Sequence, residues 1–397
     1  MISSQPSNTQ RLLLAITLAC VGGAAFGQGL GASSPWPWQP ASRGDDSVTL
    51  LLMGDTNIQH RDDPAAVYKN VAATLNDADI AFANLEGPFA GSSTDPLVPD
   101  IANKEGWQHS APEMVQALVA AGIDGVGVAN NVTYPHQALQ RSMSVLDGAG
   151  IDYVGGGNDL QAAHRPLIFE RNGTQVGFLQ YTTLFWPYGH SATQTSPGVA
   201  SIRVSTAYMP PEDVLEKPGA APVILTTVNP DDQQQMVADI IALRQQVDVV
   251  VVSYHWGVSS QRTLVDYQPE LAHAAVDAGA DIIMGHGPHV FQPIEVFQGK
   301  PIFYSLANFA FDWMFFGQRN LDGLLVRAVI DAGELARVSA VPVRRDLDDN
   351  NPVLLDPTSG AGRELFEQLV QLSGGQDAPL RLDGKEIVVD GINTSGS

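Results

Sequence analysis

The chain has 397 residues, of which 44% are hydrophobic and only 16% are charged, and its formal net charge is -22 at pH 7. So acidic a chain argues against nucleic acid and against an anionic membrane surface as general partners, because like charges repel. The acidic excess is compatible with attracting cations, although solubility alone also accounts for it.

The N-terminus has the pattern of a secretory signal peptide. Arg11 precedes the apolar run LLLAITLACVGGAAFG, which is shorter than the ~20 residues that a membrane-spanning helix needs. We expect residues 1–27 to be the signal and residues 28–46, rich in Gly, Ser and Pro, to be a linker. Cys20 is the only cysteine, and it is either a lipid-attachment site or a plain hydrophobic residue. A lipid there would be the sole predicted membrane attachment besides the signal. Either alternative predicts an extracytoplasmic protein, whether periplasmic, secreted or associated with the cell envelope.

The first half of the folded region alternates strands with helices. Helical patterns are predicted near 64–75, 112–121 and 137–148, and strands at VTLLLM, DIAFANLEG, GVGVANN and YVGGG. This strand–helix–strand order is typical of a mostly parallel sheet.

The second half continues the pattern less regularly. Strands are predicted at QVGFLQYT and PVILTTV, helices at 231–247 and 268–278, and antiparallel hairpins that turn at 298–300 and near Gly333. We expect one domain over 47–345. Residues 346–397, rich in Asp, Gly and Pro around one helix, are interpreted as a C-terminal extension without chemistry.

The segment from Val249 to His289 carries the clearest functional pattern. The apolar run at 249–252 has no polar alternation, which favours a strand buried on both faces, and it ends at His255. The run ADIIMGHGPH ends in the same way at His286 and His289. Ligands bind outside the carboxyl ends of strands in such sheets, so three imidazoles there indicate a metal-centred site.

Three earlier strands also end in polar residues, namely Asp55, Glu86 and Asn131. Each alone fits an ordinary turn residue. Their order, followed by His255 and the Gly-His-x-x-His motif, is more specific than any single residue. The glycines and proline of GHGPH fix a tight loop that can direct both histidines to one centre.

These residues resemble the CapA family, which acts in poly-γ-glutamate capsule synthesis and is related to calcineurin-like metallophosphoesterases. The resemblance spans 48–343 and is carried by LLMGDTN, FANLEGP, VANN, YHWG, DAGADIIMGHGPHVFQPIE and YSLANF. It implies an α/β fold of metallophosphoesterase type: a four-layer αββα sandwich with mixed, mostly parallel sheets and a site on the strand-end loops.

The resemblance also implies a set of site residues. The metal ligands would be Asp55, Glu86, Asn131, His255, His286 and His289. Substrate-binding residues would be Asn57, Asn130 and Asn308. Carboxylate, amide and imidazole ligands suit one or two ions of Mn, Fe or Zn better than Ca.

The chain departs from the family pattern where catalysis would depend on it. Val132 stands where the family has a histidine that resembles the general acid, and valine cannot transfer a proton. His136 is the nearby candidate replacement. Gly287 interrupts the family's second histidine motif, and Asn57 replaces a phosphoesterase histidine. Loss of a general acid typically costs ~10²–10⁴ in rate.

Three functional hypotheses follow. The first is an exported metal-binding protein of weak or no hydrolytic activity, which works with the machinery for synthesis, assembly or export of a poly-γ-glutamate-type surface polymer. The alternative is an active metal-dependent phosphoesterase or related hydrolase, and the third is a degenerate domain that binds nothing. So acidic a protein would repel a polyanionic polymer at long range. Contact between them therefore needs a bound cation or a basic patch, and Arg262, Arg319 and Arg327 are the sequence candidates for such a patch.

Overall fold

The fold is described from a computed structural model that covers residues 46–91, 101, 104, 107–213, 215–217, 219–312 and 321–393. These residues fall within one compact unit, Pro37–Ser397. The predictions for the signal peptide, for Cys20 and for nearly all of the 28–46 linker lie outside the described residues. Within the described ranges, no helix is both long enough and apolar enough to cross a membrane.

Strands and helices alternate along the chain. The strands are β1 (Val48–Asn57), β2 (Ile80–Leu85), β3 (Gly125–Gly127), β4 (Asp152–Val154), β5 (Gly156–Gly157), β6 (Leu167–Arg171), β7 (Thr174–Thr182), β8 (Gly198–Val199), β9 (Val204–Met209), β10 (Val223–Val228), β11 (Val249–His255), β12 (Ile282–His286), β13 (Ile294–Phe297), β14 (Lys300–Phe303), β15 (Asn308–Phe311), β16 (Asp322–Asp331), β17 (Glu334–Arg345), β18 (Pro352–Leu354), β19 (Leu380–Asp383) and β20 (Glu386–Val389). The helices are α1 (Ala72–Asn76), α2 (Val115–Ala121), α3 (His136–Ala149), α4 (Leu160–Ala163), α5 (Pro230–Arg244), α6 (Tyr267–Asp277) and α7 (Gly360–Leu372), and short 3-10 turns lie at Pro64–Ala66, Pro112–Met114 and Gly375–Asp377.

Two sheets form the centre of the fold. The large sheet has the order β19-β20-β17-β16-β1-β2-β3-β4, with β15 paired to β1 and β18 to β17. The second sheet has the order β13-β14-β12-β11-β7-β6. In the large sheet β1 to β4 run parallel; in the second sheet β7, β11, β12 and β14 run parallel between antiparallel edge strands.

The two sheets pack face to face through alternate residues of their strands. Leu50 and Phe82 from the large sheet share one buried core with Phe178 and Val251 from the second sheet. The rings of Phe82 and Phe178 stack with centroids 4.4 Å apart. A side-chain period of two along each strand places these residues on the facing surfaces.

Helices cover the outer faces. Val250 and Val252 of β11 point away from the large sheet and share a second core with Ile240 of α5 and Leu271 of α6. On the large sheet, the chain crosses from β1 to β4 through α1, α2 and α3, and the outward-facing Met53 is fully buried. Since the inner face is occupied by the second sheet, these crossovers lie outside. The predicted αββα sandwich with mixed, mostly parallel sheets is confirmed.

Local turn chemistry explains the late hairpins. The two residues between β13 and β14 have positive φ, 49° at Gln298 and 75° at Gly299, and the same holds between β16 and β17, with 50° at Ala332 and 80° at Gly333. Two central residues with positive φ define the turn type that matches strand twist. Both hairpins form where the sequence predicts them.

Two segments differ from their predicted structure. The helix predicted over 64–75 is a 3-10 turn followed by the short α1, because Val67, Tyr68 and Val71 are weak helix formers and are buried instead. PVILTTV forms β10, but it pairs only with β9 in a separate ribbon whose side chains are largely exposed.

The C-terminal segment is continuous with the domain. β18 and β20 both pair with β17 of the large sheet. Leu365, Phe366 and Leu369 of α7 join the core between the sheets. The boundary expected at 345 therefore falls inside the large sheet.

Candidate metal centre

The carboxyl ends of β1 and β2 face those of β11 and β12. Asp55 on β1 is the cross-strand partner of Asn84 on β2, and His255 on β11 is the partner of His286 on β12. All four side chains are fully buried. Strand register therefore places two large-sheet residues opposite two second-sheet imidazoles.

Asp55 lies at the middle of the cluster. Its Oδ1 is 3.4 Å from Nδ1 of His286, and its Oδ2 is 3.3 Å from Nδ1 of His289. Asn84 donates a hydrogen bond of 2.8 Å to Oδ1, and the Gly287 amide donates one of 3.3 Å to Oδ2. Both carboxylate oxygens are thus oriented by second contacts.

Glu86 completes the group on the other side. Its Oε1 lies 3.9 Å from Nε2 of His255 and 3.6 Å from Nε2 of His289. Ligand atoms of Asp55, Glu86 and His255 all lie within 4.8 Å of one another. The structure therefore brings five of the six predicted metal ligands together.

The donor set fits a metal ion. Buried ligand atoms without a hydrogen-bond partner within the described residues are Glu86 Oε2, His255 Nε2, both ring nitrogens of His286 and Asn131 Oδ1. Such atoms cost about 1–3 kcal/mol each when nothing satisfies them. Ligands that share one ion at ~2.0–2.2 Å lie about 3 to 3.5 Å apart, close to the separations around Asp55. This buried Asp, Glu and His group can hold a metal ion.

Burial and charge shift the pKa values of the cluster in opposite directions. Burial would raise the pKa of Asp55, but the neighbouring imidazoles of His286 and His289 hold it well below its usual range. Burial raises the pKa of Glu86 to about 8 and lowers that of His255 to about 3. Burial would also lower the pKa of His289, but attraction by Glu86 and Asp55 raises it to about 9. The metal-free group thus holds protons where a cation would sit.

Glycine is required in the second histidine loop. Gly287 has a φ of 104°, and a Cβ there would lie 2.6 Å from the Trp256 carbonyl oxygen and 3.3 Å from Nε2 of His255. His289 itself has a φ of 58°. The departure from the family motif at Gly287 therefore matches a loop in which a side chain has no room.

Asn57 and Asn308, predicted to bind substrate, are anchored beside the cluster. Asn57 donates to the Glu86 carbonyl at 2.8 Å, which leaves its buried Oδ1 without a partner among the described residues. Asn308 Oδ1 lies 3.1 Å from Nδ1 of His289, and its Nδ2 donates to the His289 carbonyl at 3.0 Å. A histidine held through Nδ1 presents Nε2 to a metal.

Asn130 and Asn131 follow β3. Asn130 donates to the Leu85 carbonyl, and its Oδ1 accepts from the amides of Val132 and Thr133 and from the Thr133 hydroxyl. These bonds use its amide to shape the loop. Asn131 accepts a hydrogen bond from Trp186 at its backbone carbonyl, while its side-chain oxygen is buried and unpartnered within the described ranges.

The two positions linked to proton transfer lie on this loop and the next helix. Val132 is fully buried and packs with Ile101 and Trp107 in an apolar cluster. His136 begins α3 and is half-buried. No hydrogen bond between described residues joins His136 to the carboxylates or imidazoles of the cluster.

Two residues that support the centre were missed from the sequence. Asn84 Oδ1 accepts a hydrogen bond of 2.9 Å from Gln180, whose side chain crosses from β7 in the second sheet. Gly127 makes room for it, since a Cβ there would lie 2.3 Å from the Gln180 amide. The available signals were Asn84 inside FANLEG and a lone glutamine in an apolar strand.

The positive charges near the site differ from those proposed from sequence. Lys104 is electrostatically coupled to Glu86; burial lowers its pKa, and attraction by Glu86 opposes that change. Arg262 instead donates to the Phe291 carbonyl and lies over its ring, and Arg327 pairs with Glu386. Arg319 lies outside the described residues.

Comparison with known proteins identifies relatives. Residues 17–313 match the family described as "Bacterial capsule synthesis protein PGA_cap". The chain is 26% identical over 339 residues to "PGA biosynthesis protein CapA" of Bacillus subtilis (82% of this chain, 79% of the relative). It is 29% identical over 323 residues to "Capsule biosynthesis protein CapA" of Bacillus anthracis (78% and 71%). A crystal structure of a hypothetical protein from Thermus thermophilus aligns with 13% identity and a TM-score of 0.43, over 75% of this chain and 99% of that chain.

Proposed function

Since the chain belongs to the bacterial capsule synthesis protein family PGA_cap, we propose that it serves synthesis, assembly or export of a polyglutamate-type surface polymer. The family match confirms the resemblance found in the sequence. The proposal places the protein outside the cytoplasm, in keeping with the signal-like N-terminus. Its supporting relatives are two proteins named for capsule or PGA biosynthesis.

The observation that carries the proposal is the buried cluster of Asp55, Glu86, His255, His286 and His289. Its unpartnered atoms favour a resident transition metal, Mn, Fe or Zn, as one or two ions. When bound, such an ion polarises an oxygen of the bound group and lowers the pKa of coordinated water. Asp55 and the imidazoles would hold it, and Asn308 would orient His289.

Weak or no hydrolysis is part of the proposal. The position of the family's proton-donating histidine is Val132, in an apolar environment formed with Ile101 and Trp107. A valine side chain at this position cannot protonate a leaving oxygen. The alternative, an active metal-dependent phosphoesterase, is favoured by the intact arrangement of carboxylates and imidazoles around Asp55.

The metal assignment is tested by elemental analysis of purified protein dialysed against Mn, Zn or Fe. We expect at least one equivalent in the wild type and a loss of at least about 100-fold in affinity for Asp55→Asn or His289→Ala, because each removes a ligand. His164→Ala, which changes an imidazole on another face of the second sheet, is the matched control and should retain metal. Metal-free wild-type protein after such loading would contradict the proposal.

The two functional candidates are separated by turnover. With added Mn, the wild type should hydrolyse aryl phosphates and phosphodiesters no faster than the Asp55→Asn variant does. Rapid wild-type turnover that Asp55→Asn abolishes would establish the phosphoesterase instead. Val132→His provides a further arm, since a gain in rate would show that a proton donor is what the centre lacks.

A further inference from the structure

Gln180 is a buried polar residue in a strand whose other inward-facing side chains are apolar. It lies in β7 and is 1% exposed. Val176 and Phe178 belong to the core between the two sheets, and a side-chain period of two directs Gln180 to the same face. Among apolar neighbours an amide is stable only where its oxygen and nitrogen find hydrogen-bond partners. The position of Gln180 therefore depends on what its amide contacts.

The Gln180 amide joins β2, β11 and the segment after β3. Its Oε1 accepts a hydrogen bond of 2.7 Å from the backbone amide of Ala129, just before the loop that carries Asn131. Its Nε2 donates to Asn84 Oδ1 at 2.9 Å and to the Ser253 hydroxyl at 3.3 Å. The two N–H groups of the amide thus both have acceptors. The orientation of the amide is fixed, because a reversed amide would set its nitrogen against the Ala129 N–H.

This orientation determines how Asn84 meets Asp55. Since Asn84 Oδ1 accepts from Gln180, the Asn84 nitrogen faces the carboxylate and donates to Asp55 Oδ1 at 2.8 Å. A reversed Asn84 amide would bring two nitrogens together on one side and two oxygens together on the other. The hydrogen bonds therefore run in one direction, from Ala129 through Gln180 and Asn84 to the carboxylate, and such chains strengthen their members.

Two glycines leave the room that the Gln180 amide occupies. At Gly127 in β3, a Cβ would lie 2.3 Å from Gln180 Nε2. At Gly155, where φ is 90°, a Cβ would lie 3.0 Å from Gln180 Oε1 and 2.8 Å from the Ala129 Cβ. A larger residue at either position would displace the amide, so the surrounding backbone is shaped around it.

We propose that Gln180 is a positioning residue of the metal centre: through Asn84 it aligns the Asp55 carboxylate with the imidazoles of His286 and His289 and so strengthens binding of the ion. The inference rests on the metal site of the proposed function. Gln180 makes no hydrogen bond with a predicted metal ligand among the described residues, so its effect on the ion is indirect. Partners that orient a ligand in this way typically contribute 10–100-fold to metal affinity.

The test is a calorimetric titration of the metal-free full chain with Mn, on the wild type, Gln180→Met, Asn84→Ala and the double variant. Methionine keeps the length of the side chain but lacks the amide. Each single variant should bind Mn about 10–100-fold more weakly. The double variant should bind about as weakly as Asn84→Ala, because Gln180 acts through Asn84. The electron paramagnetic resonance spectrum of bound Mn should differ between Gln180→Met and the wild type, because Asp55 is then held differently.

A control on the same strand separates positioning from general damage to β7. Tyr181→Phe removes a hydrogen bond to Asp239 on the opposite face and should bind Mn like the wild type. If Gln180→Met does not fold, Gly127→Ala displaces the amide while Gln180 stays in place, and it should reproduce the loss of affinity.

The outcomes distinguish this inference from the metal site on which it rests. Wild-type affinity in folded Gln180→Met or Gly127→Ala would overturn the positioning role alone. Additive losses in the double variant would also overturn it, since Gln180 would then not act through Asn84. A wild type that binds no Mn, Zn or Fe would overturn both the inference and the proposed metal site.

Discussion

The candidate metal centre can be compared with a second group, called here the outer wall, which His164, Asp239, Tyr181 and Gln235 form on the outer side of the second sheet. Both groups combine imidazole with carboxylate, but they differ in how their polar atoms are satisfied. At the metal centre both ring nitrogens of the fully buried His286 and the Nε2 of His255 have no hydrogen-bond partner in the described part of the chain. At the outer wall, Asp239 receives three donors from His164, Tyr181 and Gln235.

The difference separates two uses of the same side chains. Buried unpartnered atoms lower stability until a further group satisfies them. A satisfied network needs no such group, and it instead fixes the orientation of a side chain at an open surface. The metal centre should therefore respond strongly to protons and cations, and the outer wall should respond only as ordinary structure.

The largest effect of a buried polar atom without a partner is expected at His190, which does not belong to the candidate metal centre. It is buried behind the loop of Asn130 and Thr133, and Trp186 donates to its Nδ1 at 3.0 Å, while Nε2 makes no hydrogen bond of good geometry with described residues. Burial lowers its pKa from 6.5 to about 4, although nearby backbone carbonyls oppose the change. The unfolded chain therefore takes up a proton below pH 6.5 that the folded state refuses.

We expect the free energy of unfolding to be unaffected by His190 above pH 7, to fall between pH 6.5 and 4, and to have lost about 3 kcal/mol below pH 4. His190→Gln keeps an acceptor for Trp186 but does not titrate. The acid loss, measured by urea unfolding at stepped pH, should be smaller by this amount in the variant. Identical slopes for the two proteins would show that His190 is not held neutral.

Metal affinity should depend on pH because the ligands carry protons in the metal-free protein. The pKa values of Glu86, about 8, and His289, about 9, imply that both are protonated at neutral pH. A metal must displace these protons, so affinity should rise with pH, by about tenfold per unit for each proton displaced, and level off above pH 9.

Competition with a chelator of known affinity between pH 6 and 8 measures this slope. Glu86→Gln removes one titrating ligand and should give weaker binding with a shallower slope. His164→Ala should leave both affinity and slope unchanged. A pH-independent affinity would mean that the metal displaces no proton and that the two regions do not differ as described.

The smallest effect is expected at the outer wall. Tyr181→Phe removes one of three donors to Asp239 and should lower the free energy of unfolding by about 1 kcal/mol, the usual value of one hydrogen bond. Metal content should not change. Loss of metal in this variant would show that the outer wall and the metal centre are coupled through β7 and β11.

Much of the fold was predictable because its signals are local. The apolar run at 249–252, which has no alternation with polar residues, predicted β11. Gly333 in the turn predicted the β16–β17 hairpin. The chain segment 64–75 was mispredicted because burial of Val67 and Tyr68 outweighed helical periodicity. Residues 223–228 did form a strand, but the sequence could not show that this strand joins neither main sheet.

The candidate site was predictable where a polar residue ends an apolar strand, as at Asp55, His255 and His286. Asn84 and Gln180 were not selected, because their role depends on a hydrogen bond between two different sheets. Sequence also placed Arg262 and Arg327 near the site, whereas their guanidinium groups are used by Phe291 and Glu386. The distance between these residues along the chain gave no information on the Arg262–Phe291 contact or on the Arg327–Glu386 ion pair.

The sequence alone determined the family, the layered α/β architecture and the residue types of the candidate metal centre, since short segments carry the apolar periodicity and the polar residues at strand ends. Tertiary structure decided which atoms remain unpartnered, why position 287 has no room for a side chain, and that His164 and Tyr181 meet at Asp239. Those properties arise from contacts between segments far apart in the chain, and only packing of the two sheets and their helices brings these segments together.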